Sequence, residues 1–247
     1  MGQADWAELD SGLDIADLNR GVTAGIARPN GGGQYVYGFN SLDGTVTGAA
    51  GLYVNLANFI PTGSDLDVPD GGCSARCAIK RVSSPSNLGF SPFLFACCQG
   101  GPPSVNDKAY MLGLSNADPY EIVLAKGTIL GGLNDDETDV TILERSSAQY
   151  SMGDGLWHHL RLDAIVQPNG DVLLRGYEND LSAHAIGTTP TWTAITGFTP
   201  GGFVDDRLHI NSGSKPLWGG RLGFAFQVAQ QINARGAFDG FEAYRVV

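Results

Sequence analysis

The sequence predicts an all-β protein, a two-sheet antiparallel jelly-roll β-sandwich with a short N-terminal arm. Thirty-five glycines and twelve prolines are spread over 247 residues. They separate short runs rich in Val, Ile, Leu, Phe and Tyr, which is the pattern of strands joined by turns. All-β sandwiches commonly reach this length as one domain. We therefore expect an arm over residues 1–20 and one β-sandwich domain over residues 21–247.

The N-terminal arm is the one segment whose apolar spacing suits a helix. Its apolar residues are separated by aspartates and would form one or two helical turns ending at Gly21, namely Leu9, Leu13, Ile15 and Leu18. The same segment carries acidic residues where a secretory signal needs a basic region and an apolar run. We expect a soluble protein that is synthesised in the cytoplasm.

Fourteen candidate strands follow, each bounded by Gly, Pro or Asn. They are Gly21–Ala27, Gln34–Asn40, Gly48–Asn55, Asp65–Val68, Cys73–Val82, Phe90–Cys98, Ala109–Ser115, Glu121–Lys126, Thr138–Arg145, Trp157–Val166, Val172–Glu178, Trp192–Ile195, Arg221–Gln227 and Phe238–Val246. Fourteen short strands imply two stacked sheets. The turn-rich stretch from Gly197 to Gly220 is interpreted as long surface connections.

The clearest local signal is a hairpin within Trp157–Asp180. His159, Arg161 and Asp163 alternate with apolar neighbours along one strand, and residues 168–171, with the sequence PNGD, supply the turn into the next. Such alternation predicts one buried face and one polar face.

This hairpin resembles the concanavalin A-like lectin/glucanase superfamily, which includes laminin-G-like sandwiches. The residues that carry the resemblance are Trp157, His158, Leu160, Leu162, Asn169 and Gly170, together with the closing segments 220–226 and 237–241. The resemblance implies a jelly-roll sandwich and a structural role for the Trp-His pair.

The chain is also similar to virion structural proteins of tailed bacteriophages that carry this sandwich. Segments 35–41 and 87–95 carry that likeness. It implies a virion location and assembly with other virion proteins, capsid or tail subunits.

Composition limits the partners. The formal net charge is -11, and Lys80-Arg81 is the only adjacent basic pair, so a phosphate backbone would be repelled and nucleic acid is not expected. No stretch approaches the roughly 18 apolar residues of a membrane span, so no membrane partner is expected. Only 17% of residues are charged, which suits contact with other protein.

Four cysteines, Cys73, Cys77, Cys97 and Cys98, fall close together. A zinc ribbon requires two separated Cys pairs, and adjacent cysteines on a strand point to opposite faces. Free buried thiols are the favoured interpretation, since cytosolic synthesis keeps thiols reduced. Zinc ligation and a disulfide remain the alternatives.

No catalytic constellation emerges from the sequence. Glu137 and Asp139 begin the carboxylate pattern of glycosidases, but the third carboxylate is absent and Glu144 is out of register with Glu137. His158 and His159 are adjacent, so one should face the interior and the other solvent. There is no G-x-S-x-G nucleophile elbow.

The sequence contains candidate residues for two kinds of binding site. Calcium would need oxygen-rich loops, for which the candidates are Asn134, Asp135, Asp136 and Asp139, or Asp65, Asp67 and Asp70, although neither set matches the EF-hand pattern. A sugar site would need exposed aromatic side chains, for which the candidates are Trp192, Trp218 and Tyr120. The sequence assigns no catalytic, metal or cofactor-binding residue and no cofactor.

These observations predict a non-enzymatic bacteriophage virion protein, a capsid decoration or other accessory protein that forms a homo-oligomer and assembles through its sandwich and arm. The alternative is a lectin-like module for host surface glycan, and a glycoside hydrolase is third. A lectin should present aromatic residues beside polar groups on one face, whereas an assembly protein should present a flat apolar patch and a protruding arm.

Overall fold

The computed structural model describes twelve segments of the chain. They are residues 6–10, 37–40, 47–54, 71–83, 90–99, 104–117, 119–133, 139–151, 156–179, 191–206, 215–229 and 235–246. Within these segments, no helix is long and apolar enough to cross a bilayer.

Fourteen β-strands occupy the described segments. They are β1 Trp6–Asp10, β2 Tyr37–Asn40, β3 Thr47–Val54, β4 Gly71–Ser83, β5 Phe90–Cys98, β6 Lys108–Leu114, β7 Ile122–Thr128, β8 Val140–Arg145, β9 His158–Val166, β10 Val172–Asn179, β11 Trp192–Ala194, β12 Phe203–Asp205, β13 Arg221–Ala229 and β14 Arg235–Val246.

The strands form two antiparallel sheets. The first sheet has the order β1-β3-β13-β5-β6-β7-β8, and the second has the order β11-β10-β9-β4-β14-β2. On the same edge of β10, β11 pairs with its C-terminal half and β12 pairs with its N-terminal half. The predicted two-sheet antiparallel sandwich is confirmed. The hairpin of β9 and β10 is also confirmed, with Val166 opposite Val172 across the turn.

The main core lies between the sheets. Every second residue of β4, from Cys73 to Ile79, belongs to one buried cluster with Leu94 and Phe224 of the first sheet. This alternation is the expected consequence of side chains that point to opposite faces along a strand.

The two sheets differ on their outer sides. The outer side of the first sheet carries a second buried cluster, in which Phe93, Phe95 and Met111 pack with Ile129 and Leu133 of the segment that follows β7. The first sheet is therefore apolar on both faces. The second sheet is apolar on its inner face only, so its outer face can present polar and aromatic groups to solvent.

Two strands were missed from the sequence. Residues Trp6–Asp10 form β1, paired with β3 at the edge of the first sheet, so the helix predicted from Leu9 is wrong at that residue. Tertiary pairing has overridden the local apolar spacing. The remaining helix positions, Leu13, Ile15 and Leu18, lie outside the described residues, as do the predicted strands 21–27 and 65–68. The other missed strand, β12, has only three residues.

The four cysteines are free and buried. Cys97 belongs to the core between the sheets, whereas Cys98 belongs to the outer cluster of the first sheet, so the two side chains do point to opposite faces. A β-bulge interrupts the pairing of β5 with β13 at this point, and Cys97 has a φ of 56°. Cys73 Sγ lies 3.6 Å from Cys97 Sγ across the core, as expected for the free-thiol interpretation.

Candidate functional site

The outer face of the second sheet brings together side chains from five strands. Glu242, Arg76, Arg161, Tyr177 and Ala194 form one row across β14, β4, β9, β10 and β11, each directly opposite the next. Directly paired residues of antiparallel strands share a face and lie close enough to interact. This row therefore runs across the middle of the outer face.

A second row lies beside the first on the same face. It comprises Tyr244, Ser74, Asp163 and Arg175, again in register from β14 to β10. We call the set formed by Arg76, Arg161, Tyr177, Trp192 and Tyr244 the arginine–aromatic face.

Each arginine of this face packs on aromatic rings. The guanidinium carbon of Arg76 lies 4.9 Å from the ring centroid of Tyr244 and 6.0 Å from that of Trp192. The guanidinium carbon of Arg161 lies 5.2 Å from the ring centroid of Tyr177. These are cation–π distances, and they restrict the rotamers of rings and guanidinium groups alike.

Two carboxylates hold the guanidinium groups in place. Arg161 donates from Nε and Nη2 to the two carboxylate oxygens of Asp163, at 2.8 and 2.7 Å, and Nε also donates to Ser74 Oγ at 3.2 Å. Arg76 Nη2 donates to Glu242 Oε2 at 2.6 Å. A bidentate arginine–carboxylate pair has a defined geometry, so the face is preorganised rather than a set of independent surface side chains.

His159 and Trp192 extend the face to β11. Their ring centroids are 4.8 Å apart, and Asn179 Nδ2 lies 3.4 Å from His159 Nδ1. His159 is on the outer face as the alternation predicts, but it is buried because Trp192 covers it. Trp192 itself stays partly exposed.

One end of the face contains a pocket of about 250 Å³. Its lining consists of Ser74, Arg76, Arg161, Tyr244, Arg245 and Val246. Tyr244 is 40% exposed and is one of the few large apolar-bodied side chains so exposed in the described segments. The pocket therefore offers an accessible ring beside the guanidinium groups of Arg76 and Arg161.

A smaller pocket, of about 160 Å³, lies between β10 and the loop that follows β11. The loop residue Phe198 packs on Gly176, where a Cβ would overlap the ring, and it closes the inner side of this pocket. Glu144 is engaged here, since its carboxylate accepts hydrogen bonds from the backbone N and the hydroxyl of Thr199. Glu144 thus anchors the loop.

Two of the three aromatic residues weighed for sugar binding are buried. Trp218 is 9% exposed and Tyr120 is 1% exposed. The Trp218 indole Nε1 donates to the Gly170 carbonyl oxygen at 2.7 Å. A buried hydrogen bond of this kind satisfies the polar end of the indole and lets the ring join the core. Only Trp192 of the three reaches the surface.

His158 points into the sandwich, opposite to His159. Its Nε2 lies 3.2 Å from Tyr120 Oη, and its Nδ1 lies 3.1 Å from Glu178 Oε1. The ring of Tyr150 stacks on that of Tyr120 and meets His158 edge-on. This arrangement closes one end of the core, in keeping with the structural role that the resemblance implied for the Trp-His pair.

The calcium candidates fall largely outside the described residues. This holds for Asp65, Asp67, Asp70 and 134–136, and also for Glu137, while Asp139 is an exposed turn residue. No group of three or more metal-ligating side chains occurs in the part of the chain that the structure describes.

The comparisons with known proteins concern the fold. No family model and no curated protein matches the chain. Among solved structures, the chain is similar to the conserved carbohydrate esterase from Shiga toxin-encoding bacteriophage phi24B, with 12% identity, a TM-score of 0.45, and coverage of 98% of this chain and 89% of that chain.

Two further solved structures are similar to the chain at the same level. They are the VIP36 exoplasmic/lumenal domain in its Ca²⁺/Man3GlcNAc-bound form, with 10% identity, a TM-score of 0.43 and coverage of 100% and 86%, and a legume lectin-like domain from Entamoeba histolytica, with 6% identity, a TM-score of 0.41 and coverage of 99% and 91%. The two-sheet antiparallel β-sandwich that the resemblance implied is the architecture found here.

Proposed function

We propose that this chain is a carbohydrate-binding module and that saccharide binds on the arginine–aromatic face. The observation that carries the proposal is the exposed ring of Tyr244, held against Arg76 beside a pocket lined by hydrogen-bond donors. A sugar ring has an apolar face that packs on an aromatic ring and hydroxyl groups that need hydrogen-bond partners. Aromatic walls with a few placed polar groups meet both needs.

The face is also rigid enough to select a ligand. Arg161 is fixed by both oxygens of Asp163, and Trp192 is fixed between His159 and Arg76. Preorganised contact groups lose little side-chain entropy when a ligand binds, which raises affinity for a given contact area.

The virion assembly function predicted from the sequence has less structural support than saccharide binding. It required an arm free to lie across a partner, but residues Trp6–Asp10 of that arm are paired with β3 of the same chain. A virion location stays a prediction and is compatible with a glycan-binding module.

A glycoside hydrolase needs two facing carboxyl groups, one of which donates a proton to the leaving group. The carboxylates of this face, Asp163 and Glu242, each already bind an arginine. Neither is placed as a proton donor. Binding without cleavage therefore accounts best for the described residues.

A glycan array tests the proposal. The wild-type protein should bind a restricted set of saccharides. Tyr244→Ala and Trp192→Ala should each weaken that binding roughly tenfold, because loss of an aromatic packing partner costs about 1.4 kcal/mol of binding free energy and each 1.4 kcal/mol is a tenfold change in affinity. Leu156→Ala serves as control because Leu156 is exposed and outside the face. Unchanged binding by both face variants, or no binding of any saccharide by the wild type, would refute the proposal.

A further inference from the structure

The centre of the arginine–aromatic face contains a local conflict of charge. Arg76 and Arg161 lie directly opposite each other on β4 and β9. Directly opposite residues of antiparallel strands have Cβ atoms about 4.5–5.5 Å apart, and like charges in such a pair are destabilising. In a protein with a net charge of -11 and only 15 Lys and Arg residues, this pairing is costly. Conflicts of this kind are expected at functional sites.

The neighbouring carboxylates offset only part of this charge. Glu242 binds Nη2 of Arg76, and Asp163 binds Nε and Nη2 of Arg161. In the described part of the chain, Nε and Nη1 of Arg76 and Nη1 of Arg161 have no protein acceptor. The guanidinium groups thus retain donors for a ligand.

The pocket beside these donors is cationic. Arg76 and Arg161 line it from the outer face of the sheet, and no Asp or Glu is among the described residues of its lining. Paired guanidinium groups match the planar oxygens of a carboxylate, or the oxygens of a sulfate, through parallel hydrogen bonds. Because the site is at the surface, this attraction is screened by salt.

We propose that the ligand of this face is an acidic saccharide, whose carboxylate or sulfate is bound by Arg76 and Arg161 while its sugar ring packs on Tyr244. This inference rests on the proposed carbohydrate-binding function and adds the chemical class of the ligand. The acidic surface elsewhere disfavours a polyanion such as nucleic acid, which would extend beyond the pocket.

Matched pairs of acidic and neutral saccharides test the inference by calorimetry. The pairs are oligogalacturonate and its methyl ester, sialyllactose and lactose, and a sulfated carrageenan oligosaccharide and its desulfated form. At least one acidic member should bind tenfold or more tightly than its neutral partner, and the pair in which it does so identifies carboxylate or sulfate. Affinity should fall as salt is raised from 50 to 500 mM.

The outcomes separate the two proposals. Neutral members that bind as tightly as acidic ones would overturn the acidic class and leave carbohydrate binding intact. Binding of none of the six probes, nor of any glycan on the array, would overturn both. A poly-glutamate peptide that binds as tightly as the best acidic saccharide would assign the site to an acidic peptide and overturn the saccharide.

Variants that remove single arginine charges test which side chains bind the acidic group of the saccharide. Arg76→Gln and Arg161→Gln should each lose at least tenfold in affinity for the acidic member, with little change for a neutral one. Arg76→Gln is the cleaner variant because its partner Glu242 stays accessible to solvent, whereas loss of Arg161 leaves the buried Asp163 without its partner. Arg145→Gln is the matched control, an exposed arginine paired with Glu121 in the other sheet. Equal loss in this control would contradict the inference.

Discussion

The ammonium nitrogen of Lys126 lies 2.7 Å from Asp205 Oδ2, with both side chains fully buried between the sheets. The same carboxylate oxygen accepts a hydrogen bond from Tyr110 Oη at 2.6 Å. Tyr110 Oη in turn accepts from Leu217 N at 2.9 Å, and Lys126 Nζ also donates to the Lys215 carbonyl at 2.8 Å. This network joins β6 and β7 of the first sheet to β12 and to the segment before β13.

Removal of one partner of this pair should be strongly destabilising. Lys126→Met or Asp205→Leu leaves the other charge buried and unpaired, at a cost of about 3–5 kcal/mol in the free energy of unfolding. The double variant Lys126→Met/Asp205→Leu should cost less than either single change, because no unpaired charge remains. Urea denaturation measures all three. If the double variant lost as much free energy of unfolding as the two single variants added together, the two charges would not be coupled and the prediction would be wrong.

The cysteine thiols should be inert in the folded protein. Burial raises the pKa of Cys77 well above its usual value and raises that of Cys98 to about 12, and the thiolate is the reactive form. We expect Ellman's reagent to detect fewer than one thiol per chain in native buffer and four after unfolding in guanidinium. Rapid reaction of two or more thiols in the native state would contradict the burial described here.

Stability should fall in alkaline solution. Burial raises the pKa of Cys77, Cys98 and Tyr110 above the values of the unfolded chain. These groups therefore keep their protons when folded while the unfolded chain releases them. Their stabilising effect is complete below about pH 8.5 for the cysteines and below about pH 10 for Tyr110, and it is lost as pH rises toward the folded pKa values.

Each of these groups contributes up to about 1.4 kcal/mol per pH unit within that window. Lys126 acts with the opposite sign, since burial lowers its pKa, and a lowered lysine pKa makes stability rise with pH below about 10. Two groups, Cys77 and Cys98, act against Lys126 up to about pH 10, and Tyr110 joins them above it, so the free energy of unfolding measured in urea at pH 9, 10 and 11 should decrease. A constant or increasing value would contradict this expectation.

Two glycines form a matched test of backbone packing. Gly220 has a φ of +131° and Gly201 a φ of +89°. A Cβ on Gly220 would overlap the carbonyl oxygen of Cys98, whereas a Cβ on Gly201 would meet nothing within 4 Å. Alanine at either position carries backbone strain of about 1–3 kcal/mol. Gly220→Ala should cost at least about 2 kcal/mol more than Gly201→Ala in thermal or urea unfolding, and equal costs would argue against the close approach beside the β5 bulge.

The fold was largely predictable because its signals are local. The hairpin from His158 to Asn179 is specified by alternation and by its turn, and both can be read within one short stretch. Trp6–Asp10 escaped prediction because the spacing of nearby apolar residues suits a helix, and its strand depends on pairing with β3. Trp218 is next to turn residues, but its burial depends on the Gly170 carbonyl far away in sequence.

The candidate site was less predictable because it depends on long-range pairing. Arg161 and Asp163 were recognised as the polar face of a strand. Nothing local to Arg76 indicates that it meets Glu242, since 166 positions separate them and β14 reaches β4 only in the folded sheet. The sequence therefore predicted a polar surface without the partners that make it a site.

The measurement that tests saccharide binding at this face most directly is an NMR titration of the four tryptophan indole N–H resonances with the saccharide that gives the strongest array signal. Trp192 lies on the face, and Trp218 is buried with its indole bonded to Gly170, so the protein carries its own control. We predict that the Trp192 resonance shifts on titration while the Trp218 resonance stays in place. A Trp192 resonance that does not move while saccharide is bound would place the ligand elsewhere and contradict the account.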